Sequence, residues 1–239
     1  MALADTPDYA QFRAAFDVTQ LDKEFVGSFE EGINACVECC DRYAGEGRTA
    51  LYFEGADGST RSVTFDELKS SSAQFANLLQ AQGIGPGDCV AALLPRVPEL
   101  LTVILGTFRA GAVYQALFTA FGPKAIQQRI HGSGAKLIVT DSDNRPKLND
   151  VEACPPVVVS GHDVGPDDIN FAATLERQSD TFAPVLRHGD KLSMMLFTSG
   201  TTGAPKGVGV PLSALRANLM YMRYGLDLRP EDRFWNIAD

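Results

Sequence analysis

One ten-residue segment of the sequence combines glycine, hydroxyl side chains and a single lysine near its end. Residues 198–207 read Thr-Ser-Gly-Thr-Thr-Gly-Ala-Pro-Lys-Gly, and they follow an apolar run over 191–197 that predicts a strand. Glycine lets backbone N–H groups approach an anion without a Cβ in the way, and the hydroxyls add rotatable donors. Lys206 adds a positive charge suited to phosphate oxygens, and Pro205 stiffens the chain before it. The segment therefore predicts a loop that grips the β- and γ-phosphates of a nucleotide.

Other glycine-rich motifs fit this sequence less well. A Walker loop needs Gly-Lys-Ser/Thr, whereas Lys206 is preceded by proline and followed by glycine. A hydrolase elbow around Ser199 needs glycine two residues earlier, where Phe197 stands. The run 83–87 lies after a helix and before a strand, the reverse of a dinucleotide-binding turn, and predicts a simple turn. A surface loop without a ligand is the remaining alternative for 198–207.

The elements that must position this loop alternate between strands and helices. Thr64 and Glu67 form a capping-box pattern at the start of a helix that ends near Gly83. Apolar periodicity predicts strands and helices at the following positions: strands over 50–53, 61–64, 89–94, 112–117, 136–140 and 157–160, and helices over 98–110 and 123–131. Such alternation implies right-handed crossovers and an α/β fold, in which a parallel sheet is flanked by helices on both faces.

Charge and composition exclude several classes of partner. The 239 residues include 30 acidic and 21 basic side chains, giving a formal net charge of −9. Long-range repulsion opposes binding to nucleic acid and to anionic membrane, and we expect neither partner. The most apolar stretch, 99–121, is interrupted by Arg109 and is too broken for a membrane span. The first residues contain no apolar signal core, so we expect a cytoplasmic protein.

Three of the five cysteines crowd together at Cys36, Cys39 and Cys40 and resemble half of a metal site. No second Cys or His pair stands at zinc-like spacing. Cys36 and Cys40 instead lie one turn apart on an apolar helical stripe that begins at Ile33, where small apolar residues belong. We therefore expect reduced thiols in a core and no metal, with a metal site as the alternative.

Residues 197–207 resemble the phosphate-loop signature of the adenylate-forming superfamily, which includes acyl-CoA synthetases, nonribosomal-peptide adenylation domains and luciferases. Further segments are similar to that family in the same order along the chain: 34–43, 64–68, 85–90, 94–99, 109–113, 118–121 and 232–239. The last of these looks like the strand that enters the family's next motif. The segment 34–43 is similar to one in acetyl-CoA and propionyl-CoA synthetases, so the subgroup resembled is short- or medium-chain acyl-CoA synthetases.

The resemblance implies the incomplete N-terminal part of the large domain of these enzymes. It divides the chain into an N-terminal segment (1–63), a first α/β subdomain (64–190), and the phosphate loop with the start of a second subdomain (191–239). The family's motifs for adenine stacking, magnesium and ribose binding, the domain hinge and the adenylation lysine would lie beyond Asp239. We therefore expect a fragment that is inactive alone.

The activity implied is ATP-dependent activation of a small-molecule carboxylate, first to an acyl-adenylate and then to a coenzyme A thioester, with Mg²⁺ assisting. The residues that the resemblance assigns to the ATP phosphates are Thr198, Ser199, Gly200, Thr201, Thr202, Gly203 and Lys206. Among them, Thr201, Thr202 and Lys206 are the expected direct donors, and Lys206 and Thr201 carry the catalytic role. The alternatives are an adenylation domain that serves a carrier protein and a non-catalytic nucleotide-binding remnant.

A second basic segment, Asn-Arg-Pro-Lys over 144–147, has two interpretations. Related enzymes use basic residues in a comparable loop to contact the phosphates of coenzyme A, which suggests that role here. A solvated basic turn without a ligand is the other interpretation, and it is the one that ordinary surface composition favours.

Overall fold

A hairpin and a seven-stranded sheet contain all the strands in the computed structural model, which describes residues 8–198 and 205–235. The hairpin pairs β1 (Thr49–Glu54) with β2 (Thr60–Thr64) in antiparallel fashion. The strands of the larger sheet are β3 (Cys89–Leu93), β4 (Val113–Ala116), β5 (Ala135–Asp141), β6 (Val157–Ser160), β7 (Ile169–Asn170), β8 (Leu192–Thr198) and β9 (Lys206–Pro211). Their spatial order is β7-β6-β5-β3-β4-β8-β9, and every pair is parallel except β8 with β9.

The α-helices connect these strands. In chain order they are α1 (Tyr9–Ala15), α2 (Ala35–Cys39), α3 (Phe65–Ala81), α4 (Pro98–Arg109), α5 (Pro123–Ser133), α6 (Phe171–Leu175) and α7 (Ala214–Met220). Short 3₁₀ helices cover Val18–Glu24, Asp41–Tyr43 and Arg145–Leu148, and a π-helical turn covers Tyr221–Gly225. No helix in the described ranges is long and apolar enough to cross a membrane.

Local signals define the start of α3 and the end of α5. The predicted capping box is confirmed at the start of α3, where Thr64 Oγ1 accepts from the Glu67 amide at 3.1 Å and the Glu67 carboxylate accepts from the Thr64 amide at 2.7 Å. Helix α5 ends at Gly134, whose φ of +64° lies in the left-handed region that favours glycine.

Apolar cores cover both faces of the sheet, as the continuous apolar runs predicted. One face packs Val90 and Leu137 against α3, α4 and α6, and the other packs Ala91 and Ile138 against α5. All five residues of β3 are buried, which is typical of a parallel strand with helices on both sides. The predicted α/β fold with a mostly parallel, helix-flanked sheet is confirmed.

Two local predictions need correction. The helical stripe from Ile33 forms only the five-residue helix α2, because the chain turns at Cys40 into the 3₁₀ helix Asp41–Tyr43. The predicted strand over 232–239 is wrong for 232–235, which have no regular secondary structure, and 236–239 lie outside the described residues. An extended segment needs a neighbouring strand to supply its hydrogen bonds, and none pairs with 232–235 among the strands described.

Candidate functional site

The predicted phosphate loop connects two adjacent strands at one end of the sheet. Strand β8 ends at Thr198 and β9 begins at Lys206, and the two residues are Cα partners in the antiparallel ladder. The side chains of both are exposed. Ser199, Gly200, Thr201, Thr202 and Gly203 lie outside the described residues. The structure therefore brings together the first and last predicted phosphate contacts at the base of a hairpin.

The sheet places this hairpin at the edge where ligands of open α/β sheets bind. Strand β8 runs parallel to β4, with Tyr114 opposite Met194 and Gln115 opposite Met195. Thr198 therefore lies at the same edge as the carboxyl ends of β3, β4 and β5. Because β4 and β5 flank β3 on opposite sides, their connections cover opposite faces and leave a crevice at this edge.

Among the described residues, no side chain neutralises the charge of Lys206. Within residues 8–198 and 205–235, its side chain makes no ion pair or hydrogen bond, and it is exposed. An ammonium group without a carboxylate partner can neutralise a phosphate at short range without first breaking an internal ion pair. This local charge matters more for phosphate binding than the net charge of −9, since the net charge acts at longer range and is screened by salt.

Both basic side chains of the second basic segment make internal hydrogen bonds. Arg145 Nε donates to the two carboxylate oxygens of Asp168 at 2.9 and 2.8 Å, and this carboxylate is 5% exposed. Lys147 Nζ donates to the Thr119 carbonyl and, at 2.7 Å, to Asn144 Oδ1. The segment is therefore not a freely solvated turn, and its charges serve to tie the 3₁₀ helix Arg145–Leu148 to its neighbours.

Two of the three crowded cysteines occupy core positions, whereas Cys39 is exposed. Cys36 and Cys40 are fully buried and pack with Val63, Leu68 and Leu105, as expected for small apolar residues on one helical stripe. In the described parts of the chain, no group of three or more His, Cys, Asp or Glu side chains is arranged to hold a metal ion.

Sequence reasoning missed the buried ion pair between Asp41 and Arg109. Arg109 ends α4 and is 2% exposed, and its Nη1 donates to Asp41 Oδ2 at 3.0 Å. Its Nε also donates to Ser72 Oγ at 3.1 Å. An arginine within an otherwise apolar helix signals a buried counter-charge, but the sequence does not say which carboxylate supplies it.

A helix-flanked, mostly parallel sheet whose carboxyl edge carries a glycine- and hydroxyl-rich loop ending in an unpaired lysine defines a nucleotide-binding α/β protein. The family model described as "AMP-binding enzyme" matches residues 40–239. The chain therefore belongs to the AMP-binding enzyme family, and the resemblance seen in residues 197–207 is confirmed.

Similar proteins agree with this assignment. The chain is 34% identical to acetyl-coenzyme A synthetase from Sodalis glossinidius, over 88% of this chain and 36% of that protein. It is 32% identical to acetyl-coenzyme A synthetase from Streptomyces avermitilis, over 90% of this chain and 37% of that protein. The chain thus spans a little over a third of the length of these relatives.

Solved structures show the same fold. The acyl-CoA synthetase from Brucella canis superposes with a TM-score of 0.94 at 49% identity, over 98% of this chain and 43% of that chain. The anthranilate CoA ligase AuaEII in complex with anthranoyl-AMP gives a TM-score of 0.73 at 20% identity, over 89% of this chain and 39% of that chain, and supports the fold alone.

Proposed function

We propose that this chain contributes the phosphate-binding part of an acyl-CoA synthetase that activates a short- or medium-chain carboxylic acid with ATP. The observation that carries the proposal is that Thr198 and Lys206 are Cα partners at the base of the hairpin, at the carboxyl edge of the sheet, and that the Lys206 ammonium has no ion-pair partner among the described residues. Family membership and the acetyl- and acyl-CoA synthetases among the similar proteins support it.

In the proposed first step, an oxygen of the carboxylate attacks the α-phosphorus of ATP. The bond from that phosphorus to the oxygen bridging to the β-phosphate breaks, which gives an acyl-adenylate and pyrophosphate. In the second step the thiol sulfur of coenzyme A attacks the acyl carbonyl carbon, loses its proton to solvent, and AMP leaves. Charge builds on the departing pyrophosphate only in the first step, and there Lys206 would neutralise it.

The described residues support only part of this chemistry. They hold no cluster of acidic, histidine or cysteine side chains suited to Mg²⁺, so we assign no residue to the metal and no step to it. Thr201, Thr202 and the glycines of the loop stay predicted phosphate contacts. Arg145 and Lys147 are not assigned to coenzyme A, because Arg145 pairs with Asp168 and Lys147 Nζ already donates to two internal oxygen atoms.

Pyrophosphate exchange into ATP, measured on the intact protein with a panel of carboxylic acids, tests the first step. We expect exchange that depends on the acid, followed by thioester formation when coenzyme A is added. Exchange without a coenzyme A thioester would favour the alternative of an adenylation domain that serves a carrier protein. Absence of exchange with every acid would favour the alternative of a non-catalytic nucleotide-binding remnant. The same assay on residues 1–239 tests the predicted inactivity of the fragment.

Substitution of Lys206 tests its assigned role. Loss of one such charged donor typically costs ~2.7–4 kcal/mol, so Lys206→Ala should slow adenylation roughly a hundred- to a thousandfold. Lys206→Arg should also be impaired, because a planar guanidinium does not replace a compact ammonium group. Thioester formation from preformed acyl-adenylate should change little, since that step involves no pyrophosphate.

Lys191 provides the matched control. It is an exposed lysine at the opposite end of the same hairpin and pairs with Asp190 at 3.0 Å. Lys191→Ala should leave both half-reactions unchanged. If Lys206→Ala slowed both half-reactions equally, or neither, the phosphate role of Lys206 would be wrong.

A further inference from the structure

One aromatic ring packs against two glycines where the phosphate-loop hairpin meets α5. A Cβ atom placed on Gly132 of α5 would lie 3.1 Å from Cε1 and 3.2 Å from Cζ of Phe197. A Cβ atom placed on Gly207 of β9 would lie 3.3 Å from Cζ and 3.4 Å from Cε1 of the same ring. Carbon atoms pack best at about 3.5–4.0 Å, so any side chain at either position would press on the ring. We call Gly132, Phe197 and Gly207 the aromatic seat.

The aromatic seat is adjacent in sequence to the candidate phosphate contacts. Phe197 immediately precedes Thr198, and Gly207 immediately follows Lys206. Phe197 and Gly207 are Cα partners, and the next pair along the ladder is Thr198 with Lys206. A displacement of the Phe197 ring would therefore pass directly into the backbone that carries both contacts.

Within the described residues, α5 is the helix that holds this end of the hairpin. Successive residues of a strand point to opposite faces, so Leu196 and Val208 face away from the seat, and they are 40% and 46% exposed. Strand β9 is also the last strand of the sheet among the described residues. Within that part of the chain, the contact of Phe197 with Gly132 therefore supports the hairpin on the face opposite Leu196 and Val208.

Side chains beneath the ring continue the same contact toward the centre of the sheet. Met195 Sδ lies 3.2 Å from the Cβ position of Gly207. Met195 is the register partner of Gln115, which is fully buried and whose Oε1 accepts from Ser133 Oγ at 2.6 Å. Ser133 follows Gly132 at the end of α5. The end of α5 is thus fixed to β4 by a hydrogen bond and to β8 and β9 by close packing.

We propose that Gly132 and Phe197 are positioning residues for the phosphate loop. The ring packs against both glycines and thereby holds Thr198 and Lys206 where they meet the nucleotide phosphates. The ring can lie at this position because Gly132 has no side chain. The proposal rests on the function proposed above. Small displacements matter here, since a shift of about 1 Å in a positioning group can cost about a hundredfold in rate.

The test is Gly132→Ala in the intact protein, assayed by pyrophosphate exchange. The added methyl group must push the ring by a few tenths of an ångström, so we expect kcat/KM for ATP to fall roughly tenfold while KM for the carboxylate is unchanged. Alanine favours a helix more than glycine does, so the thermal midpoint should not fall in parallel. Phe197→Leu alone should also weaken ATP use, and adding Gly132→Ala to Phe197→Leu should cause no further loss, because the clash has been removed.

Gly106→Ala is the matched control. Gly106 also lies in a helix against an aromatic side chain, with its Cβ position 2.8 Å from Phe75, but in the core between α3 and α4. This variant should lower the thermal midpoint and leave kcat/KM for ATP unchanged. If it lowered kcat/KM for ATP as much as Gly132→Ala did, the effect would be general destabilisation and the proposal would be wrong.

Hydrogen exchange separates this proposal from the proposed function, because it needs no substrate. Amides of 192–198 and 206–211 should exchange faster in Gly132→Ala and Phe197→Leu than in the parent, and not in Gly106→Ala. Unchanged hydrogen exchange in both variants would contradict the positioning role of Gly132 and Phe197 even if the enzyme is active. If the parent shows no pyrophosphate exchange, the proposed function fails. The hydrogen-exchange data then test by themselves whether the Phe197–Gly132 contact holds the hairpin. If Gly132→Ala does not fold, Phe197→Leu supplies the same test.

Discussion

Replacing Asp41 with asparagine would leave the Arg109 guanidinium buried without a counter-charge. Arg109 is 2% exposed, and two of its nitrogens donate to the two carboxylate oxygens of Asp41, at 3.0 Å from Nη1 and 2.5 Å from Nη2. Arg109 would keep the hydrogen bond from its Nε to Ser72 Oγ, and the amide oxygen of the new asparagine could still accept one hydrogen bond from the guanidinium. The substitution therefore removes the charge while it disturbs the shape of the site very little.

The magnitude follows from the burial of the pair. Two unit charges about 4 Å apart interact by about 4 kcal/mol at an effective dielectric constant of about 20. Removal of one partner of a buried pair typically costs about 3–5 kcal/mol, because the other charge stays buried. The amide oxygen can still accept one hydrogen bond, so we expect the lower end of that range for Asp41→Asn, about 3 kcal/mol. For a chain of this length, that loss lowers the thermal midpoint by roughly 6–12 °C.

Urea unfolding followed by far-ultraviolet circular dichroism measures this loss. The single tryptophan, Trp235, is 80% exposed and is a poor reporter of the core. Arg109→Met should also destabilise the protein, and the double variant Asp41→Leu with Arg109→Met should lose less than the sum of the two single variants. Glu99→Gln, which removes an exposed ion pair with Arg61 at 3.8 Å, should change stability by less than about 1 kcal/mol. A loss below about 1 kcal/mol for Asp41→Asn, or strict additivity, would refute the reasoning.

Two further predictions concern hydrogen-bonded carboxylates at the start of a strand and of a helix. Burial raises the pKa of Asp88, but hydrogen bonds from Lys136 and the Gly85 amide outweigh it and hold that pKa below its usual value. The resulting stabilisation is present above the pKa of about 4 that Asp88 has in the unfolded chain, and it is lost as the pH falls through its pKa in the folded protein. The difference in unfolding free energy between the parent and Asp88→Asn should therefore shrink to zero on acidification. A gap that stays constant in urea titrations from about pH 7 to about pH 3 would contradict this. At the start of α3, Thr64→Ala should lower the free energy of unfolding by about 1 kcal/mol, measured by thermal unfolding. Glu67→Gln should lower it less, because the amide oxygen of glutamine can still accept the hydrogen bond from the Thr64 amide. Equal losses in the two variants would count against the capping box.

The sequence by itself determined the features that depend on neighbouring residues. Apolar runs and helical stripes located the strands from β3 to β6 and the helices α4 and α5 to within a few residues, because burial requires those periodicities. The capping box at Thr64 was visible for the same reason, since both of its partners lie within one turn. The composition of 198–207 also indicated phosphate chemistry before any fold was known.

Only the tertiary structure decided which distant segments meet. The strand order puts β8 beside β4 and turns β9 antiparallel, and no local pattern encodes that order. The counter-charge of Arg109 comes from Asp41, 68 residues away, and that of Arg145 comes from Asp168. No sequence pattern singles out Gly132, and only the structure shows that the ring of Phe197 packs against it. Such pairings depend on the packing of the whole chain, because a charge or a glycine specifies the kind of neighbour it accepts and leaves the choice among many candidates to the fold.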